Sequence, residues 1–426
     1  MQVSAHRAFS LLKKLAYERV SCSQAEKEAA EVLLAEALST GAQAHIEEFT
    51  VPCGRVHHAK LVVTAPYHKE YEVTGYERSK STPEGGLEGE FYYAENLEFA
   101  HLQNLKDKIV LINGRLRRKD YEKLQKGGAA AILTYSGSTV DRLSDSDCDR
   151  RKLREVLTEP FGDGVALNLR AADAAEIVRR GAKTMHIELS GENYDGTSRN
   201  VCAVIEGASR PEEIISFGAH YDSVYFSTGV YDNISGSVIL MELLRYFSVH
   251  KPARTLKFNW YGSEEQGLLG SKAWTAAHED ELDKHLLMIN VDVAAPTLGH
   301  NMAMVMATDP VVGYIDGLMK ELGSPCEAKL DIYSSDSIPF TDKGVPAVNL
   351  CRFGAPGANY IHDRRDSLKS GYVDEKALDI TLQQALHFAN RVVNAAVFPI
   401  PREISDTIKG KVDEYLFKDT KKKEEK

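Results

Sequence analysis

Two adjacent glutamates, Glu264 and Glu265, follow an apolar and aromatic run, Leu256 to Tyr261, that predicts a buried strand. Adjacent carboxylates repel each other, and folding alone does not require both at the end of such a strand. A site that activates water needs one carboxylate to bind a metal ion and a second one, outside the metal's ligands, to accept a proton. The pair therefore predicts a metal ligand beside a general base, without deciding which glutamate has which role.

Other metal-binding residue types stand at the ends of further predicted strands. Ligands gather at the carboxyl ends of strands in open α/β sheets, so these positions are expected to converge. They are His220 and Asp222 after EIISFGA, Asp232 before the next helix, Asp292 after LLMIN and His362 in a loop after VPAVNL. Imidazole and carboxylate donors without a thiolate suit zinc or a similar divalent ion. The number of carboxylates favours two ions about 3.5–4 Å apart, as in two-metal hydrolases.

Each of these residues alone also has an ordinary structural explanation. A histidine at a strand end is more often hydrogen-bonded than a ligand. Asp232 before NISGS fits turn chemistry, and Glu-Glu pairs are common at exposed helix starts. All these explanations would have to hold together, each at a strand end of one domain. The conjunction therefore predicts a metal site.

The elements that must position these residues alternate between strands and helices. The strand-like runs are NVCAVIEG, EIISFGA, TLKFNWYG, LLMINVDV, AMVMAT and VPAVNL. Ser235 to Tyr246 and Asp374 to Val397 carry apolar residues at helical spacing. We therefore predict an α/β domain formed by residues 1–58 and 197–400, interrupted by an inserted domain at 59–196. Residues 401–426 form a charged C-terminal tail that we expect to be solvated and frayed.

Composition excludes several classes of partner. At 426 residues the chain is too long for one small domain, and its net charge of −10 argues against nucleic acid. No run reaches the roughly 18 apolar residues of a membrane span, so we expect no membrane partner. The six cysteines are scattered without a Cys-x-x-Cys pair, and the first twenty residues form an amphipathic pattern instead of a signal peptide. These features favour free thiols and a cytoplasmic protein.

Five motifs, in order and at similar spacing, resemble those of the co-catalytic dizinc aminopeptidase family. They are GAHYDSV, YDNISGS, GSEEQGLLGS, NVDV and YIHDRRDSL. Relatives in that family include bacterial leucine-type aminopeptidases, glutamate carboxypeptidase and the single-zinc glutaminyl cyclases. The resemblance implies a phosphorylase/hydrolase-like three-layer sandwich with a central mixed, mostly parallel sheet. The stretch LKDKIVLINGRLRRKDYEKLQKGGAAAILTY resembles the protease-associated domain that many members carry, which implies a β-rich α+β insertion.

The resemblance also implies a role for each motif residue. One zinc ion would be held by His220 and Asp292, the other by Glu265 and His362, with Asp232 bridging them. Glu264 would be the general base that deprotonates a water between the two ions, and Asp222 would orient a ligand histidine from behind. Co²⁺ or Mn²⁺ are expected substitutes for zinc.

The sequence departs from the family pattern around the expected oxyanion site. Some members have a tyrosine directly before the last histidine, where Ile361 stands here, with Tyr360 one residue further back. Tyr333 is a second candidate for an oxyanion contact. Asp336 is followed by Ser337 where members often have Asp-His, and Asp363-Arg364-Arg365-Asp366 replaces the usual Thr-Pro-Arg-Asp.

The leading hypothesis is an aminopeptidase that acts on short peptides. Arg352, Arg364 and Arg365 keep open a carboxypeptidase or dipeptidase, because a guanidinium binds a terminal carboxylate bidentately. A glutaminyl cyclase is less favoured, since it uses one zinc and every two-metal position is present. A non-catalytic binding protein of the same fold would have lost ligands, and none is lost. The inserted domain has no ligand set, and we expect it to wall the cleft or mediate self-association.

Overall fold

The computed structural model describes residues 2–418 and divides the chain into two compact units. One unit comprises Met1–Val51 and Thr197–Lys426, and the other comprises Pro52–Gly196. Residues 52–58, which the sequence analysis assigned to the α/β domain, fall in the second unit.

The helices of residues 2–418 are α1 Ala5–Lys14, α2 Gln24–Leu38, α3 Phe99–Leu102, α4 Arg118–Lys126, α5 Glu155–Phe161, α6 Ala171–Arg179, α7 Ser235–Val249, α8 Leu269–Ala277, α9 Asp309–Glu321, α10 Ser337–Asp342, α11 Glu375–Val393 and α12 Asp406–Tyr415. The strands are β1 Gln43–Ala65, β2 Lys69–Tyr71, β3 Val73–Gly75, β4 Leu87–Tyr93, β5 Lys108–Leu111, β6 Ala131–Ser136, β7 Ala166–Arg170, β8 Thr184–Ile205, β9 Arg210–His220, β10 Arg254–Tyr261, β11 His285–Val291, β12 Gly299–Met306, β13 Glu327–Leu330 and β14 Ala347–Gly354. None of these helices combines the length and apolar character that crossing a bilayer requires.

The first unit contains a mixed sheet. Its strands lie in the order β13-β12-β14-β11-β9-β10-β8. The central neighbours β10, β9, β11 and β14 run parallel, whereas β8 and β12 pair antiparallel with β10 and β14. The carboxyl ends of the four parallel strands therefore lie along one edge of this sheet.

Helices cover both faces of this sheet. Helices α1, α2, α7, α9 and α11 pack with one face around a large apolar core. Helices α8, α10 and α12 belong to a second core on the other face, which includes Trp274 and Phe340. The predicted α/β class with a central mixed sheet is confirmed for this unit.

Capping residues explain where two helices of this unit begin. Ser23 Oγ accepts from the Glu26 N–H at 3.1 Å and so caps α2, while the Glu26 carboxylate accepts from the Cys22 N–H at 2.7 Å, just before the cap. Asp374 Oδ1 accepts from the N–H groups of Lys376 and Ala377 at the start of α11.

The second unit is also built on hydrogen-bonded strands. Strands β4, β5, β6 and β7 run parallel, and β3 pairs antiparallel with β7. The amino-terminal part of β8 pairs antiparallel with β4, and β2 pairs with β1. Two apolar clusters belong to this unit, one around Leu133 and Leu167 and the other around Tyr121 and Leu124.

The expectation of a frayed tail is wrong for α12. Ser405 caps this helix, and Ile408 and Val412 are buried in the core that contains Phe340. Two apolar residues at i and i+4 suffice to dock a helix that is otherwise charged. The last lysines and glutamates, residues 419–426, lie outside the described residues.

Candidate active site

The predicted site residues follow the carboxyl ends of the parallel strands. Strand β9 ends at His220, β10 ends three residues before Glu264, and Asp292 directly follows β11. His220 lies beside Tyr261 in the β9–β10 register, so the residues that follow these two strands start from neighbouring positions. The sheet thereby brings together residues that are far apart in the sequence.

Two overlapping groups of ligand atoms form at this edge. In the first, His220 Nε2 lies 3.1 Å from Asp232 Oδ1 and 3.5 Å from Asp292 Oδ1. In the second, His362 Nε2 lies 3.2 Å from Asp232 Oδ2 and 2.9 Å from Glu265 Oε2. Within each group the atoms lie within 4.8 Å of one another. Asp232 thus presents one carboxylate oxygen to each group.

The electrostatics of the cluster fit a bound cation. His220, Asp232 and Asp292 are 1%, 8% and 4% exposed. Burial alone would lower the pKa of His220, but the surrounding carboxylates, Glu264 first, raise it well above its usual range. Asp292 Oδ1 is buried and accepts no hydrogen bond. A buried carboxylate oxygen without a donor is costly unless a cation satisfies it, and the imidazole and carboxylate donors are those of zinc sites.

Asp222 lies behind the cluster and holds the two glutamates. It is fully buried, and its Oδ1 lies 3.4 Å from His220 Nδ1. The same carboxylate accepts from the backbone N–H groups of Glu264 and Glu265, at 3.1 and 3.2 Å. The sequence analysis expected only the contact with histidine, and the structure adds the anchoring of the glutamate loop.

The adjacent glutamates take part in different contacts. The Glu264 carbonyl accepts from the N–H groups of Gly267 and Leu268, which forms a tight turn. The Glu265 carboxylate contacts His362, as above. Burial raises the pKa of Glu264 well above its usual range, with His220 opposing and Glu265 adding to the shift. The Glu265 carboxylate thus belongs to one of the two ligand groups, whereas the Glu264 carboxylate belongs to neither.

The segment around Asp232 is held by Asp366, which the sequence analysis did not select. Asp366 is fully buried, and its carboxylate accepts from the N–H groups of Tyr231 and Asp232 at 2.9 and 3.1 Å and from the Tyr372 hydroxyl at 3.1 Å. Burial, reinforced by the Asp232 charge, raises the pKa of Asp366 to about 7. Its place four residues after His362 was visible in the sequence, but its contacts with backbone amides were not.

The two candidate tyrosines lie in different surroundings. Burial raises the pKa of Tyr333 well above its usual range, and the charges of Asp292 and Asp232 raise it further, so its phenol keeps its proton. The Tyr360 ring lies under the Arg365 guanidinium at 4.2 Å, and its carbonyl accepts from Tyr372 at 2.8 Å. These contacts tie Tyr360 to the loop that follows His362.

Two of the three arginines that kept a carboxypeptidase open, Arg352 and Arg365, donate hydrogen bonds to groups of this chain. The Arg352 guanidinium donates to the carbonyls of Pro296 and Thr297 and to Asn301 Oδ1, at 3.0, 3.4 and 2.8 Å. Arg365 donates to both carboxylate oxygens of Asp363, at 2.9 and 2.6 Å. Arg352 therefore fixes the loop after β11.

The part of the chain that carries this site is similar to known proteins. Residues 200–389 match the model described as Peptidase family M28. Aminopeptidase NAALADL1 of Rattus norvegicus is 29% identical over 39% of this chain. The matched segment spans only 23% of that relative's length.

Solved structures match almost the whole chain. A peptidase M28 precursor from Shewanella amazonensis is 26% identical, with a TM-score of 0.75 over 92% of this chain and 95% of that one. BSAP, a zinc aminopeptidase from Bacillus subtilis, is 20% identical, with a TM-score of 0.78 over 95% of this chain and 99% of that one. These likenesses extend the agreement in fold beyond the region matched by the family model.

Proposed function

Residues 200–389 belong to peptidase family M28, and from that premise we propose that the chain is a metal-dependent aminopeptidase that removes N-terminal residues from short peptides. The observation that carries the proposal is the position of Asp232, whose two oxygens face two separate histidine and carboxylate groups. A shared carboxylate of this kind suits two metal ions better than one.

Zinc is the metal that we propose for both positions. His220 and Asp292 would hold one ion, Glu265 and His362 the other, and Asp232 would contact both. The donor set and the likeness in fold to BSAP, a zinc aminopeptidase, support this choice. Bound zinc would supply Lewis acidity toward the peptide carbonyl and lower the pKa of the attacking water.

Glu264 is the proposed general base. Its carboxylate accepts a proton from the water as the oxygen attacks the peptide carbonyl carbon. The C–N bond then breaks, and Glu264 returns the proton to the leaving amine nitrogen. Because Asp222 holds the Glu264 backbone, the carboxylate stays oriented without being a member of either ligand group.

Tyr333 is the proposed partner of the tetrahedral oxyanion. Its protonated phenol can donate a hydrogen bond to the oxygen that gains charge when the carbonyl is attacked. The influence of Asp292 and Asp232 on its pKa supports a position close to the reacting groups.

The charges around the site favour the amino end of a peptide. A substrate ammonium would meet the carboxylates of the cluster, among them Asp292. A terminal carboxylate would need a guanidinium that can turn toward it, and hydrogen bonds from all three nitrogens of Arg352 fix its orientation. This asymmetry supports an aminopeptidase over a carboxypeptidase.

A mass-spectrometric time course of an unblocked pentapeptide with zinc-loaded protein tests the proposal. We expect stepwise loss of residues from the amino end, and no loss from the same peptide with an acetylated amino group. The Glu264→Gln variant, loaded with zinc to the same level, is the matched control and should leave the peptide intact on that timescale. Loss from the carboxyl end, or an unchanged peptide with zinc-saturated protein, would overturn the proposal.

A further inference from the structure

A second cluster of metal-binding side chains lies in the first unit, outside the ligand groups of Asp232. His45 and Glu47 stand two residues apart on β1 and therefore point to the same face of that strand. Cys202 stands on β8. One ligand atom from each of the three residues lies within 4.8 Å of the other two. We propose that His45, Glu47 and Cys202 form a zinc site with one imidazole, one carboxylate and one thiolate ligand.

The Glu47 carboxylate is held from two sides. His45 Nε2 lies 3.0 Å from Glu47 Oε1, and His278 Nε2 lies 3.0 and 3.2 Å from its two oxygens. The other nitrogen of His278 lies 3.3 Å from Glu281. Such chains of histidine and carboxylate orient the ligands of many metal sites from the outer shell.

The supporting histidine is itself fixed by packing. The His278 ring stacks on Trp274 with 4.4 Å between ring centroids and an interplanar angle of 21°. Trp274 is 2% exposed, so this contact belongs to the buried layer of the unit. The carboxylate is therefore pre-oriented before any ion arrives, which reduces the entropy lost on binding.

The Glu47 carboxylate meets two histidines and, in addition, the thiol of Cys202. A divalent cation placed between the sulfur and the carboxylate would have both groups as its ligands.

Exposure gives the cluster an open side. The Cys202 residue is 4% exposed, whereas the side chains of Glu47 and His45 are 24% and 57% exposed. An ion can thus enter past His45, and a water or a small anion could complete a tetrahedral set. Sulfur, nitrogen and carboxylate oxygen together select zinc or cobalt over magnesium and calcium.

The cysteine makes this site separable from the catalytic one. Neither ligand group of Asp232 contains sulfur. Thiolate ligation gives Co²⁺ an intense near-ultraviolet charge-transfer band, which imidazole and carboxylate ligands do not produce. Titration of the metal-free full chain with Co²⁺ should therefore show this band, and Zn²⁺ should abolish it. This readout does not depend on whether the protein cleaves peptides.

Variants make the test specific. Cys202→Ser should lose the band and one equivalent of bound cobalt while peptide cleavage is unchanged. Cys326→Ser, which removes a half-buried thiol elsewhere in the same unit, should keep both. His45→Ala changes an exposed side chain and should weaken cobalt binding without affecting the fold. His278→Ala should weaken it by about 10–100-fold, the usual effect of losing an outer-shell partner.

Two results would overturn the proposal. One is the absence of a charge-transfer band in folded wild-type protein saturated with Co²⁺. The other is a band that persists unchanged in Cys202→Ser, since the thiolate would then belong to a different residue. Should the cysteine variant not fold, a cobalt affinity of His45→Ala equal to that of the wild type would overturn the proposal instead.

Discussion

Replacement of Asp366 by asparagine should loosen Asp232 without removing any proposed metal ligand. The carboxylate of Asp366 accepts three hydrogen bonds, from the N–H groups of Tyr231 and Asp232 and from the hydroxyl of Tyr372. Asparagine offers one oxygen and one NH₂ group in the same space. If the oxygen keeps Tyr231 and Tyr372, the NH₂ group faces the N–H of Asp232, donor against donor.

The magnitude follows from that unsatisfied donor. A buried N–H without an acceptor costs about 1–3 kcal/mol, but asparagine also removes a buried charge whose raised pKa disfavours the ionised form, so the two effects on the free energy of unfolding oppose each other. Loss of an outer-shell partner typically weakens metal binding by about 10–100-fold. The zinc affinity therefore carries the prediction, because the lost hydrogen bond positions the bridging carboxylate.

The assay combines urea unfolding in the presence of a chelator with zinc titration against a chromophoric competitor. It is run above the Asp366 pKa of about 7, where the wild-type carboxylate is ionised. Asp363→Asn is the matched control: it makes the same chemical change three residues away, at a carboxylate that pairs with the partly exposed Arg365. Such pairs contribute at most about 1 kcal/mol, and zinc binding should be unchanged. Wild-type zinc affinity in Asp366→Asn would refute the reasoning.

Three further predictions follow from the site and its supports. Glu264→Gln should lower kcat by about 10²–10⁴-fold with zinc content unchanged, because it removes the proton acceptor and no ligand. Tyr333→Phe should lower kcat by about 10²–10³-fold with little change in KM, since an oxyanion contact strengthens in the transition state. Glu26→Gln should flatten the pH dependence of stability. Burial raises the pKa of Glu26 from 4.5 to about 8, so the folded state binds this proton more tightly than the unfolded state does. The free energy of unfolding of the wild type therefore falls as the pH rises between those values, by at most about 5 kcal/mol.

Each of these predictions has its own check. Steady-state kinetics with metal analysis tests the first, and full turnover by zinc-loaded Glu264→Gln would reassign the base. Tyr360→Phe is the control for Tyr333→Phe. A larger loss of kcat in the control would assign the oxyanion contact to Tyr360 instead of Tyr333. Urea unfolding across the pH range tests Glu26→Gln, and a wild-type slope in the variant would show that another group carries the pH dependence.

The part of the site that lies on strand ends could be predicted from the sequence. Apolar runs identify β9, β10 and β11, and the polar residues after them then fall on one edge because the strands are parallel. The adjacent glutamates required a functional explanation even before their partners were known. The sheet supplies what the sequence could not, namely that His220 and His362 face opposite oxygens of one aspartate.

Residues that act through the backbone or through distant loops were not predictable in this way. Asp366 works by accepting from two main-chain amides, and Arg352 is committed to carbonyls some 55 positions away. Neither contact leaves a periodic or compositional signal. Helix α12 was missed because charged residues surround its two buried positions, and β13 because four residues at a sheet edge carry little apolar pattern.

The number and position of zinc ions test the central claim most directly. Crystals of zinc-loaded protein, measured on both sides of the zinc absorption edge, give an anomalous difference map that locates zinc independently of any assumed role. We predict two peaks flanking Asp232, one beside His220 and Asp292 and the other beside Glu265 and His362. A single peak, or none, at these residues in protein that holds zinc would contradict the two-metal account.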